Sequence, residues 1–203
     1  PERPSIPDEG DKEEPKPDED ENVTGTLAFE DIWPSGGDYD MNDVIVEYER
    51  KVYFDKKNIV TKIVDEFTPV HDGATYVNAF AYQIDAAQIG DKITLPEGAI
   101  LEKETSSIIV MSNAKQNIGN KYVVTREFNG SFLKNQLLSY NPYIIVKYSQ
   151  GEQNRTEVHL PKHKATAYAN QSLIGSNDDA YYIDRKGAYP FAIDIPMLGF
   201  TPV

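Results

Sequence analysis

From Val23 onward, apolar and polar residues alternate along much of the chain. The segment "VIVEYERKVYF" (44–54) puts Val44, Val46, Tyr48, Val52 and Phe54 on one face, with Glu47, Glu49 and Lys51 on the other. Period two is the signature of a half-buried strand. "DKKN" (55–58) reads as a turn and "IVTKIVDEF" (59–67) as the returning strand. Further strands are predicted at 74–84, 92–95, 107–111, 143–149, 156–160 and 191–195, with one helical turn at "DAAQI" (85–89). Gly, Asn, Pro and Asp clusters separate them. Many short strands with turn signals predict an all-β fold, an antiparallel β-sandwich of jelly-roll-like type. No internal repeat is visible.

Composition divides the chain in two. Residues 1–22 carry ten Asp/Glu, three Lys/Arg, five prolines and one aliphatic residue, Ile6. Such a segment buries too little apolar area to offset its chain entropy. It reads as a disordered acidic linker, and 23–203 as the folded domain. The net charge of −13 repels nucleic acid phosphates and anionic membrane surfaces, so neither is an expected partner. There are no cysteines, hence no disulfides, thiolate metal sites or cysteine nucleophiles. The chain opens on Pro1 rather than Met, which fits a processed chain without its targeting segment.

Chemistry concentrates in "FEDIWPSGGDYDMNDVIVEYER" (29–50). Asp38, Asp40 and Asn42 have the spacing D-x-D-x-N. Their oxygens converge if the backbone wraps, and Gly36 and Gly37 are expected to allow it. Asp43 stands next to them, and Asp31 can swing in from across the loop. Crowded carboxylates disfavour one another unless a cation neutralises them. Hard oxygen donors in a flexible loop suit Ca²⁺, and no His or Cys is near for Zn²⁺. The expected ligands are therefore Asp31, Asp38, Asp40, Asn42 and Asp43, around a structural Ca²⁺. Glu30 is left out of this set.

An EF-hand would place Glu49 at position twelve. Position six is Asp43 rather than Gly, and 44–54 alternates like a strand. At about 3.3 Å per residue Glu49 then lies roughly 20 Å beyond Asp43, so it is excluded. A polar turn that caps its own backbone is the plainer alternative.

The stretch "FEDIWPSGGDYDMNDVIVEY" resembles the signature of the LruC-type domain of bacterial surface lipoproteins, a family of unknown function. "GATYVNAFAYQI" (73–84), "EVHLP" (157–161) and "YPFAIDIP" (189–196) are similar to later segments of that family, in the same order. Ala79 and Phe191 depart from the Gly and Trp usual there. The resemblance implies an exported, lipid-anchored, all-β domain at the surface of a Gram-negative cell. It also supports Asp38, Asp40, Asn42 and Asp43 as Ca²⁺ ligands. Residues 1–22 would be the linker after a lipidated cysteine that this chain lacks, and the family is expected to continue beyond Val203.

Other candidates are weaker. On a strand, His159 and His163 would sit about 13 Å apart, so His159 reads as structural. Asn177, Asp178 and Asp179 form a second polar cluster that either joins the first or is a plain loop. Trp33 is expected to anchor the acidic loop to the core. No Ser-His-Asp, P-loop or G-x-G-x-x-G pattern appears, and the expected role is binding or structural, not enzymatic. The expected partner is a surface ligand, a glycan or a protein. A carbohydrate-binding module with exposed aromatics on one sheet face is one alternative. A hydrolase using two carboxylates of unlike environment is another.

Overall fold

The computed structural model describes residues 19–130, 132–174, 181–184 and 189–202. Asn177, Asp178 and Asp179 lie outside the described residues. Eleven strands form: β1 Glu19–Phe29, β2 Val44–Phe54, β3 Val60–His71, β4 Ala79–Gln83, β5 Lys92–Thr94, β6 Ile100–Glu102, β7 Ser107–Met111, β8 Tyr122–Glu127, β9 Asn141–Val146, β10 Thr156–His159 and β11 Ala192–Ile195. One sheet has the order β11-β1-β2-β3-β8-β5, the other β10-β9-β4-β7-β6, and every pairing is antiparallel. The architecture is the antiparallel β-sandwich that the alternation predicts. After β3 the chain passes repeatedly from one sheet to the other, as in a jelly roll.

The long strands β1, β2 and β3 form a meander at the middle of the first sheet. β1 starts at Glu19 and pairs through Asn22 with Lys51–Phe54 of β2. Residues 19–22, assigned to the linker by composition, thus belong to the folded domain. Acidic side chains are tolerated there because Asp20, Glu21 and Asn22 are exposed.

The core between the sheets gathers Leu27, Phe29, Val44, Val46 and Phe67 from the first sheet with Phe80, Tyr82, Ile108, Ile144 and Val158 from the second. Phe80 packs against Phe29 and Phe67, with ring centroids 6.3 and 5.1 Å apart. β2 is not half-buried throughout. Ile45, on its outer face, is covered by Met41 and packs with Ala28. The loop between β1 and β2 is thus fastened to the outer face by Met41 and to the core by Trp33.

Two groups of charges are buried, one between the sheets and one on the outer face of the second sheet. Asp65 Oδ1 accepts from Arg50 Nε at 3.1 Å, and Oδ2 accepts from Tyr140 Oη at 2.8 Å, Tyr82 Oη at 3.3 Å and Arg126 Nη2 at 3.4 Å. Elsewhere Arg155 donates to Glu102 and Glu157 at 2.7 Å each, and Glu157 Oε2 faces His159 Nε2 at 2.9 Å. His159 Nδ1 meets Asn141 Oδ1 at 2.7 Å. The Asn141 amide nitrogen donates to Gln83 Oε1 and to the Lys164 carbonyl, which fixes its oxygen toward the ring. Both imidazole nitrogens therefore face acceptors, and each contact needs a proton on its line. Burial pulls the imidazole pKa down, and the Glu157 carboxylate opposes it. His159 is structural, as its strand position suggests.

Candidate metal centre

The acidic loop follows the end of β1. Glu30 follows β1 directly and is tied to the neighbouring segment by its N–H, which donates to Phe191 O at 2.9 Å. The chain then leaves through Asp31 and Trp33. Trp33 is buried in the main core, 4.8 Å from the Tyr182 ring centroid.

The wrap does not come from Gly36 and Gly37, neither of which takes a positive φ. It comes from Tyr39 at φ 56° and Met41 at φ 57°. A left-handed conformation costs a non-glycine residue about 1–2 kcal/mol. Packing offsets that cost. Tyr39 lies 5.1 Å from Tyr189 and 5.3 Å from Phe191, and Met41 is buried beside Ala28 and Ile45. Gly37 serves another purpose: a Cβ there would sit 1.9 Å from Ile32 Cδ1.

Two left-handed residues in alternation curl the segment and bring Asp38 and Asp40 toward Glu30. One carboxylate oxygen from each of these three lies within 4.8 Å of the others. Glu30 is 1 % exposed. Its Oε1 accepts from the Met41 N–H at 2.5 Å. Among the described residues no Lys or Arg forms an ion pair with Glu30, Asp38 or Asp40. Burial, helped by repulsion from Asp43, Asp40 and Asp38, pushes the Glu30 carboxyl up to about 7. The Met41 N–H only partly offsets this.

The other expected ligands are placed differently. Asn42 donates through its amide nitrogen to Asp40 Oδ2. Asp43 Oδ2 accepts from the Asp31 N–H at 2.8 Å, and Asp31 Oδ2 accepts from buried Asn78 at 2.8 Å. Neither Asp31 nor Asp43 joins the group formed by Glu30, Asp38 and Asp40. Asp43 is still raised to about 6 by burial and the nearby Asp31 charge. Glu49 lies on β2, accepts from Asn22 at 2.8 Å and takes no part. His163 turns to Pro161 O at 3.3 Å, away from any shared ligand with His159.

Glu30, Asn78 and Asp72 lie outside the expected ligand set. Alternation through "TLAFE" puts Glu30 on the Ala28 face, the face Met41 covers, and that was the available signal. Asp72 is buried beside the loop, and its Oδ2 has no hydrogen-bond partner among the described residues. Gly73 closes the junction, its N–H donating to Asn42 O at 2.9 Å. A Cβ at Gly73 would sit 2.8 Å from Asn42 Oδ1 and 3.0 Å from its backbone oxygen. Backbone cannot yield cheaply, so Gly73→Ala should cost about 1–3 kcal/mol, as overpacking does. A lowered denaturation midpoint with unchanged m-value would show it.

Fold and loop define a class: a two-sheet antiparallel β-sandwich with an oxygen-rich acidic loop joining its first two strands. The chain belongs to the DUF4842 family, a domain of unknown function whose model matches residues 58–201. The matched span takes in Asp65, Asp72 and Asn78 and begins after the acidic loop. No curated protein and no solved structure matches the chain.

Proposed function

We propose that this chain is a binding or structural module stabilised by a divalent cation, Ca²⁺ by donor type, in the loop between β1 and β2. The observation that carries this reading is the buried Glu30 carboxylate meeting Asp38 and Asp40 within 4.8 Å. Like charges this close disfavour one another unless neutralised. All three are hard oxygen donors, which fits Ca²⁺. Glu30, Asp38 and Asp40 would hold the ion, while Asn42 turns its amide nitrogen to Asp40 and its oxygen toward Gly73. When bound, the ion supplies charge neutralisation and links the end of β1 to the start of β2, so part of the folding free energy becomes metal-linked. We place the module at the surface of a Gram-negative cell, on the lipid anchor that the resemblance to LruC-type domains implies. Its partner there is a glycan or a protein.

Calcium is expected to raise the thermal midpoint, and chelator to return it. At a hundredfold excess over the dissociation constant the gain is about 2.7 kcal/mol. Asp40→Ala and Glu30→Gln should each remove the response. A wild-type midpoint that does not respond to millimolar Ca²⁺ would overturn the cation reading.

A further inference from the structure

A cleft of about 340 Å³ opens beside the middle of β2 and shares no lining residue with the acidic loop. Its walls include Tyr48, Arg50 and Phe67 from β2 and β3, Tyr140 and His163 from the loops flanking β9 and β10, and Asp194 from β11. The volume falls at the lower end of the ~300–1,000 Å³ typical of small-molecule sites.

Arg50 is the first sign of a built site. Asp65 takes its Nε, and its guanidinium carbon lies 2.9 Å from the Tyr140 ring centroid. Held from two sides, the guanidinium still has no hydrogen bond at either terminal nitrogen among the described residues. A fixed fork of donors without acceptors suits ligand oxygens. Asp65 is itself 1 % exposed, so the part that fixes Arg50 is rigid.

An acceptor stands on the same sheet, two strands away at Asp194. Tyr48 Oη donates to Asp194 Oδ1 at 3.0 Å. Burial and the Asp194 charge push the phenol up to about 12, so it keeps its proton. Tyr48 reaches Asp194 by lying across Gly25, where a Cβ would sit 2.5 Å from Oη. The aromatic surface of the cleft is the Tyr48 ring, one face of which lies over Gly25. Phe67 is buried against Phe80 and Tyr82, and the Arg50 guanidinium covers a face of Tyr140.

We propose that this cleft binds one neutral hexopyranose unit. The charges of Arg50 and Asp194 cancel, which favours a ligand with no net charge. Hydroxyls both accept from a guanidinium and donate to a carboxylate, and a pyranose also offers an apolar C–H face to an aromatic ring. The exposed large aromatics, Tyr76, Tyr181 and Tyr189, lie outside the strands, so the recognition surface is the cleft and not a platform on a sheet face. This inference rests on the binding-module reading and is independent of the cation.

The test titrates the whole chain with glucose, galactose and mannose at millimolar concentration, following amide and aromatic NMR shifts. At least one hexose should shift Tyr48, Arg50 and Tyr140. Arg50→Met, which keeps the stem and loses the fork, should weaken that binding about tenfold or more. Asp194 is exposed, so Asp194→Asn leaves the fold intact and should also weaken binding. Gly25→Ala should abolish it by driving the Tyr48 ring from its place. Silence toward all three hexoses in folded wild type would overturn the proposal, as would shifts confined to other surfaces. Preferential binding of glycine or glutamate in the cleft would overturn it too, since a zwitterion also matches opposed charges. Repeating the titration in Ca²⁺ and in chelator separates the two readings, because the thermal response to Ca²⁺ does not depend on hexose binding.

Discussion

Asp65→Ala is expected to destabilise the protein by about 3–5 kcal/mol, the cost of leaving a buried charge without its partner. Asp65 accepts from two guanidiniums and two phenols inside the sandwich. Among the described residues Arg126, fully buried, pairs with no other carboxylate, and its other hydrogen bonds go to the Gln88 carbonyl and Tyr140. Burial pushes the Asp65 carboxyl up, and the two arginines pull it back. Removing it strands Arg126 outright, while Arg50 can turn toward the cleft. The midpoint in denaturant should fall with an unchanged m-value. The double change Asp65→Leu with Arg126→Met should recover much of the loss, because an apolar replacement leaves no charge to desolvate. A double variant as weak as the single one would show that the network is not held together by charge pairing.

Glu157→Ala should be comparable, at about 3–5 kcal/mol. Glu157 is fully buried and accepts from Arg155, His159, the Thr166 hydroxyl and the Thr166 N–H. Burial alone would raise its carboxyl; the bonds from His159 and Thr166 outweigh that and hold it below the ordinary value of 4.5. The sign follows. A depressed carboxylate contributes stability that is complete above its unfolded pKa and is lost as pH falls through the folded one. Wild type should therefore lose stability in acid more steeply than Glu157→Gln over the interval below pH 4.5. Parallel pH profiles for the two proteins would contradict this assignment.

Both networks bear on what the sequence could reveal. β2 and β7 were legible to the residue, because β2 shows clean alternation and β7 is a short continuous apolar run. β8 was missed. Its inward positions are Val124 and Arg126, while Val123 is 40 % exposed. A buried arginine and an exposed valine mask the period-two pattern, and only the distant Asp65 explains them. β6 and the long β1 were not anticipated either, β1 because its opening residues read as acidic linker. In the acidic loop, the D-x-D spacing named two of the three carboxylates that converge. The third, Glu30, depends on a long-range event: the burial of Met41 on the outer face of the first sheet. The glycines were misread for a related reason. Local flexibility suggested Gly36 and Gly37 as the source of the wrap, whereas tertiary packing holds Tyr39 and Met41 in the left-handed conformation.

The four margins of the sandwich are β11 and β5 in one sheet and β10 and β6 in the other. Each is only three or four residues long, against eleven or twelve for β1, β2 and β3. A short margin offers few free N–H and C=O groups on which a neighbouring chain could add a strand. Sheet extension is therefore disfavoured at these margins, and the one long stretch that β11 leaves uncovered, Glu19–Gly25 of β1, carries the acidic side chains of Asp20 and Glu21 along its edge.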